Sequence, residues 1–283
     1  IAHLFVSDRT NRLLGHLPLH RLVFARPERR LSELLDPETF SVTPQTDQEM
    51  VVRLATKYNL QAVPVVDERG EMIGVITVDD IMEAAQEEAN EDMYRLAGTG
   101  ERDPVHAGVL RSTRLRLPWL VLTLLGGSVI AFTVSRFEGA LEATGKLAFF
   151  IPIIPLMGGN VALQASTIVV RGLAVGDIGR GRIAPFVGKQ WLVTAVLALS
   201  CGLLAGMLGY LMPGIEPRLA LTVGIAVTLA ISMAGTLGTV LPLAFDRLGM
   251  DPAVSAGPFV TILNDIFCIA IYLVLGTVLV ARA

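Results

Sequence analysis

The chain has 283 residues, of which 52% are hydrophobic and 17% are Asp, Glu, Lys or Arg, and its net charge at pH 7 is -3. Soluble domains carry roughly a quarter charged residues, so the composition argues against a wholly soluble protein. The first 118 residues hold 33 of the 49 charged side chains, which predicts a water-exposed part followed by a lipid-embedded part. No basic stripe typical of nucleic-acid binders occurs, and nucleic acid is set aside as a partner.

The cysteines and the start of the chain give two further expectations. Cys201 and Cys268 lie in apolar stretches, where cysteine behaves as a small buried hydrophobe, so no disulfide framework is expected. The chain begins with Ile1 inside a predicted strand, without Met and without a leader of the secretory type. We therefore expect it to be a piece of a longer protein.

The first part of the chain contains an internal repeat at an offset of 59 residues. Residues 4–8 and 13–15 correspond to residues 63–67 and 72–74. Each unit predicts a strand, a polar turn, a second strand and then a helix, which starts at Leu19 or Asp79. The second unit alone has a preceding helix, predicted over residues 47–58.

This pattern resembles the tandem CBS module, with residues 1–35 as the C-terminal half of a first motif and residues 36–83 as the second motif. In that family a Thr hydroxyl and a later carboxylate often contact a nucleotide. The resemblance therefore implies Thr77 and Asp80 as candidate nucleotide contacts, with ATP as a regulator. A carboxylate that caps the following helix is the alternative, and the residues alone leave both open.

An acidic connecting helix and linker are predicted over residues 84–112. Seven acidic side chains and no basic one fall between Asp79 and Asp92. Like charges four residues apart on a helix cost a few tenths of a kcal/mol each unless a cation neutralises them. Glu101 and Asp103 extend this acidic character. The connector is either a divalent-cation sensor built from carboxylate oxygens or a solvated acidic face.

Residues 113–283 are predicted to form an all-α membrane domain, because the sequence contains five apolar segments long enough to cross a bilayer of about 30 Å. An N-terminus on the inside places eight Lys or Arg residues on inner flanks and four on outer flanks. The positive-inside rule therefore predicts a cytoplasmic N-terminal part in the inner (plasma) membrane. The segments are 117–137, 147–170, 186–212, 219–245 and 256–280.

Polar residues in two of these segments are candidates for an ion pathway. In the second segment, Asn160 follows prolines and glycines that loosen a helix, and such backbone must face protein or water. In the fifth segment, Asp265 has no Lys or Arg in the interior of any span to neutralise it. A carboxylate there needs a cation, water or a proton, and a protonated Asp between helices is the structural alternative. Asn264 points about 100° away and is predicted to serve helix packing.

Mg²⁺ commonly uses one or two carboxylates and keeps several waters. A twofold homodimer would bring two Asp265 side chains together, since such an interface presents each residue twice. The carbonyl of Thr261 would add an oxygen ligand if the helix opens at Pro258 or around Thr261.

Four sequence motifs lie in and beside the membrane segments: PLMGGN at 155–160, VVRGLAVG at 169–176, DRLGMDPA at 246–253 and GPFVTILND at 257–265. Together with the CBS module and the acidic connector, they resemble the MgtE-type magnesium transporter family. The resemblance implies a homodimer with five transmembrane helices per chain, a central pore, and a CBS domain that senses cytosolic Mg²⁺. It implies Asp265 as the pore aspartate, Asn160 as a polar pore-lining residue and Asp251 as an acid at the cytoplasmic mouth. Asp79, Glu101 and Asp103 fall where sensing carboxylates are expected.

The predicted function is a Mg²⁺ channel or transporter that works down the electrochemical gradient and is gated by cytosolic Mg²⁺. The alternatives are a Co²⁺, Ni²⁺ or Mn²⁺ transporter of the same fold, and a CBS-regulated membrane sensor without transport. An enzyme is not expected. All four histidines precede the first span and no His-Glu-x-x-His occurs, which argues against an intramembrane zinc protease. An aspartyl protease would need a second carboxylate in the membrane.

Overall fold

The computed structural model describes residues 3–99, 106–179 and 181–281. The chain divides into two compact units, with the boundary between Asn90 and Glu91. The first is an α/β unit and the second is helical.

The first unit contains one antiparallel β-hairpin in each sequence repeat. In each hairpin an aspartate begins the turn, and its carboxylate accepts the backbone amides two and four residues later. These aspartates are Asp8 and Asp67, which are 59 positions apart, so the repeat predicted from sequence is a structural repeat. The strands are β1 (His3–Ser7), β2 (Leu13–Pro18), β3 (Ala62–Val66) and β4 (Met72–Thr77).

The two hairpins are joined through their turns. Arg12 and Glu71 form an antiparallel bridge, and the amide of Leu13 donates to the carbonyl of Gly70 at 3.1 Å. Two short helices follow the first hairpin, α1 (Leu19–Val23) and α2 (Leu31–Leu34).

The helix predicted before the second hairpin is α3 (Gln48–Tyr58). Asp47 caps its N-terminus by accepting the amide of Glu49 at 2.9 Å, and Asn59 ends it in the left-handed conformation. Both are residue types that favour these positions. This helix and the second hairpin share one cluster of buried apolar side chains with the segment before α3 and the start of α4, formed by Val42, Val51, Ala55, Val63 and Ile81.

The acidic connector is helical. The helix α4 (Val78–Leu96) begins directly after β4 and continues across the boundary between the two units. Its last six residues, from Glu91 onward, belong to the second unit.

Five helical segments in the described part of the chain are long and apolar enough to cross a membrane, which confirms the predicted number. The longest uninterrupted ones are α5 (Val109–Ser135), α8 (Ile183–Leu211) and α9 (Pro217–Arg247). A short helix, α6 (Glu138–Ala143), follows α5.

The second and fifth spans are interrupted. The second consists of a 3₁₀ segment (Gly145–Phe150) followed by α7 (Ile153–Ala174). The fifth consists of α10 (Pro252–Ala256) and α11 (Pro258–Gly276), with a π-helical turn at Thr277–Ala281. Gly257 separates α10 from α11 with φ -85° and ψ -128°, which is outside the helical region.

The membrane helices approach one another closely through small residues. A Cβ added to Gly202 on α8 would overlap Thr228 on α9, and one added to Gly238 on α9 would overlap the backbone of Ala162 on α7. The fifth span is tied to the second by the buried Tyr272, whose hydroxyl donates to the carbonyl of Leu147 at 2.8 Å.

Candidate functional site

Asp265 lies on α11 about 12 Å along the helix from the break at Gly257. Its side chain is half-buried and borders a groove of about 340 Å³. The break and the carboxylate therefore open onto the same space. The groove is otherwise mainly apolar, lined by Leu96, Thr123, Gly126, Gly127, Ile130, Leu163, Gly257, Pro258, Thr261 and Ile262.

A glycine on α7 stands beside the carboxylate. A Cβ built on Gly159 would lie 3.9 Å from Oδ1 of Asp265 and 4.0 Å from Cγ2 of Thr261. An added methyl group would therefore make ordinary van der Waals contact with both residues, and the glycine leaves that space beside Asp265 open. The interruption of this span lies at residues 151–152, before α7, and α7 is continuous through Gly159 and Asn160.

Asn160 is the next residue on α7 and is exposed, and it is not among the residues that line the groove. Gln164 and Thr167 are exposed as well. Their spacing of four and seven residues from Asn160 places all three on one face of the helix. An apolar span thus carries a polar stripe on a surface that this chain leaves uncovered.

Thr261 lines the groove one turn before Asp265. Its hydroxyl donates to the carbonyl of Gly257 at 3.3 Å, and its amide donates to the same oxygen at 3.4 Å. The interruption is therefore at Gly257, beside Pro258, while α11 is continuous through Thr261.

Asn264 contacts Asp265 directly, a bond that the sequence did not indicate. The amide of Asn264 is fully buried, and its Nδ2 donates to Oδ1 of Asp265 at 3.2 Å. The thiol of Cys268 donates to Oδ1 of Asn264 at 3.3 Å. The sequence could have indicated the contact between Asn264 and Cys268, because residues four positions apart lie on one face of a helix.

Asp251 contacts the last turn of the connecting helix. One carboxylate oxygen caps α10 by accepting the amide of Ala253 at 2.7 Å. The other forms an ion pair with Arg95 of α4, which also pairs with Glu91 one turn earlier. The contact is close because a Cβ on Gly257 would lie 2.8 Å from the carbonyl oxygen of Leu96. Arg95 lies just beyond the acidic run and was not singled out from the sequence.

Asp79, the first of the predicted sensing carboxylates, is exposed in the first turn of α4. Glu101 and Asp103 lie outside the described residues. Within residues 3–99, 106–179 and 181–281 no group of three or more His, Cys, Asp or Glu side chains is arranged to hold a metal ion.

Thr77 and Asp80, the candidate nucleotide contacts, bind each other. Oδ2 of Asp80 accepts the amide of Thr77 at 2.9 Å and its hydroxyl at 2.6 Å. The hydroxyl first, and then the amide, hold the pKa of this exposed carboxyl below its usual value. This is the reach of an N3 carboxylate back to the N-cap amide, so Asp80 stabilises the start of α4.

Comparisons with known proteins agree with this architecture. Residues 151–275 match the family model described as MgtE, a divalent cation transporter, and residues 31–87 match that of the CBS domain. The chain is 35% identical to a magnesium transporter MgtE of Thermus thermophilus over 281 residues. The chain resembles the MgtE family in both of its parts. The family resemblance and the fold class predicted from sequence, a CBS module followed by a helical domain with five membrane helices, are confirmed.

Two other relatives are similarly close. The magnesium transporter MgtE of Bacillus subtilis is 31% identical, and the match covers 98% of this chain and 61% of the relative. The magnesium transporter MgtE of Enterococcus faecalis is 33% identical, and the match covers 96% of this chain and 60% of the relative. The match to the Thermus protein covers 96% of this chain and 61% of the relative. The chain thus spans about three fifths of the length of the curated relatives it matches.

Proposed function

We propose that the chain conducts divalent cations, Mg²⁺ foremost, across a membrane down their electrochemical gradient, with Asp265 as the pore ligand. The observation that carries the proposal is the half-buried Asp265 carboxylate, inside an apolar span and on the groove beside the Gly257 break. A carboxylate in that position is costly unless it serves an ion, water or a proton. The names of the relatives, all magnesium transporters, favour the ion.

Mg²⁺ fits this groove if it arrives with most of its water. A single carboxylate supplies too few oxygens for an octahedral ion, but Mg²⁺ loses water reluctantly and uses few protein ligands. A homodimer would supply a second Asp265. The exposed polar stripe that begins at Asn160 supports this assembly, because amides within a bilayer need a protein or water surface to face. Thr261 lines the same groove as Asp265 and is the proposed neighbour of the bound ion.

The direct test is cation flux into proteoliposomes under an imposed membrane potential. Asp265→Ala and Asp265→Asn are expected to abolish Mg²⁺ uptake. The matched control is Asp246→Asn, which removes an exposed carboxylate near the end of α9 and should leave uptake unchanged. Equal uptake by Asp265→Ala and the unsubstituted chain would overturn the assignment.

The same vesicles separate the alternative functions. Co²⁺, Ni²⁺ and Mn²⁺ in parallel assays identify the preferred ion, and oxygen ligands favour the harder ions. Uptake of no divalent cation by any variant would leave a membrane sensor as the function.

For regulation, we propose that cytosolic Mg²⁺ closes the pathway by binding carboxylates of the CBS module and the connector. Asp251 is the proposed ligand on the membrane unit, Asp79 is that on the CBS module, and Glu101 and Asp103 are those on the connector. A Mg²⁺ ion at Asp251 must share its carboxylate with Arg95 or displace it. Bound Mg²⁺ favours the closed state only to the extent that it binds that state better.

ATP is the proposed regulatory ligand at Thr77 and Asp80, both exposed at the start of α4. A nucleotide would have to compete with the hydrogen bonds between these two residues.

We place the chain in the plasma membrane with its CBS module in the cytoplasm, from the positive-inside bias. We infer transport without enzymatic chemistry. The proposed domains are residues 1–35, 36–83, 84–112 and 113–283.

A further inference from the structure

We infer that Asn264, held by Cys268, is a positioning residue that sets the orientation of the Asp265 carboxylate and thereby the Mg²⁺ concentration at which the pathway half-saturates. The inference rests on the proposed function, in which Asp265 is the pore ligand. It concerns two residues that were expected only to pack.

The direction of the two hydrogen bonds follows from the chemistry of the groups. An ionised carboxylate only accepts hydrogen bonds, so Asn264 must present its NH₂ group to Asp265. Its carbonyl oxygen then faces Cys268, whose thiol is a weak donor. The distances are 3.2 Å for the first bond and 3.3 Å for the second. The amide therefore has one orientation that satisfies both neighbours.

The surroundings leave the amide little freedom. Asn264 and Cys268 are both fully buried. A Cβ on Gly158 would lie 2.7 Å from the Cys268 sulfur and 2.9 Å from each polar atom of the Asn264 amide. The helix α7 thus closes over the pair. A buried amide that cannot rotate fixes the torsion of the carboxylate it binds.

This arrangement has a functional consequence. One oxygen of Asp265 is bound to the protein, so the carboxylate meets an incoming hydrated cation in a single prepared orientation. Without the amide, the cation must order the carboxylate itself, and affinity falls by the cost of that ordering. Hydrogen bonds to charged groups are strong enough to make this loss about tenfold.

The test measures Mg²⁺ uptake by the whole chain in proteoliposomes, as half-saturating concentration and maximal rate. Asn264→Ala and Cys268→Ala should raise the half-saturating concentration by about three- to tenfold. Cys268→Ser keeps a donor at that position and should restore the parent value. Cys201→Ala, at the other cysteine in a membrane helix, is the control and should change neither quantity. Thermal unfolding of each variant reports packing separately.

The outcomes separate this inference from the proposed function. If Asp265→Ala abolishes uptake while Cys268→Ala keeps the parent half-saturation, the positioning role is wrong and the pore assignment stands. A Cys268→Ser variant shifted as far as Cys268→Ala overturns it too, because packing alone then explains both. This serine and alanine pair decides the question if Asn264→Ala does not fold. Parent-like uptake by Asp265→Ala, or no uptake by the parent, overturns the proposed function.

Discussion

Arg95 and Asp251 form an ion pair that joins the last turn of α4 to the N-cap residue of α10, the short helix before the fifth-span break. The guanidinium also pairs with Glu91, so one cation neutralises carboxylates from both elements. A fixed positive charge already occupies the contact at which a regulatory Mg²⁺ is proposed to bind. The contact is thereby less dependent on metal than the acidic connector alone would make it.

The first prediction concerns closure by Mg²⁺. Arg95→Gln removes the guanidinium with which Mg²⁺ must share Asp251 or compete for it, so less Mg²⁺ is needed to occupy that carboxylate. Because both side chains of the Arg95 pair are about 30% exposed, the inhibitory Mg²⁺ concentration should fall only about two- to fivefold. The measurement is uptake of a tracer cation against internal Mg²⁺. Arg29→Gln, which breaks an exposed pair with Glu33, is the control. Identical inhibition curves for the two variants would contradict the prediction.

A second prediction uses two adjacent glycines of α5. A Cβ on Gly126 would overlap the branched side chain of Ile262 on α11, whereas a Cβ on Gly127 meets nothing within 4 Å. Gly126→Ala should therefore cost about 1–3 kcal/mol of stability through overpacking. Gly127→Ala should be neutral or slightly stabilising, since alanine favours helix. Thermal unfolding in detergent measures both, and similar melting temperatures would refute the close approach of α5 and α11.

Removal of a buried hydroxyl is the third prediction. Tyr272→Phe leaves the carbonyl of Leu147 without its hydrogen bond inside the core, at a cost of about 1–3 kcal/mol. Tyr210→Phe, on an exposed tyrosine of α8, should change stability little. Chemical or thermal unfolding of the two variants gives the comparison. Equal unfolding midpoints for Tyr272→Phe and Tyr210→Phe would show that the hydrogen bond from Tyr272 does not stabilise the fold.

The start of α4 should respond to acid. The pKa of Asp80 is lowered in the folded chain by the hydroxyl and amide of Thr77. Its contribution to stability is therefore present above the unfolded pKa, about 3.9, and is lost as pH falls through the lower folded pKa. The difference in melting temperature between the parent and Asp80→Ala should be constant near neutral pH and shrink below pH of about 4. Asp79→Ala is the neighbouring control. A difference that grows toward acid would reverse the sign and contradict the argument.

Much of the architecture follows from local pattern. The repeat is visible because turns at Asp8 and Asp67 need the same carboxylate, and Asp47 marks the start of α3 by its capping chemistry. The five membrane helices follow from apolar length alone. Asp265 stood out because a carboxylate is rare in such a segment. Each of these signals lies within a few residues of the feature that it predicts.

The contacts between distant segments could not be predicted in this way. Arg95 lies three residues beyond the acidic run, and nothing local indicates that Asp251 would face it. Asn264 was expected only to pack, because helical geometry gives the direction of a Cβ but not the torsion of an amide that returns to its neighbour. Close approach of α7 at Gly158 decides that torsion, and such approaches depend on tertiary structure.

Gly257 gives the fifth span two properties through one missing carbon atom. Its non-helical backbone separates α10 from α11, and its bare Cα makes room for the carbonyl of Leu96. A side chain at Gly257 would therefore disturb the backbone of the fifth span and its contact with α4 in one step. A substitution at Arg95 removes ion pairs from that contact and keeps the glycine at the helix break, so the two positions separate a change of backbone from a change of charge.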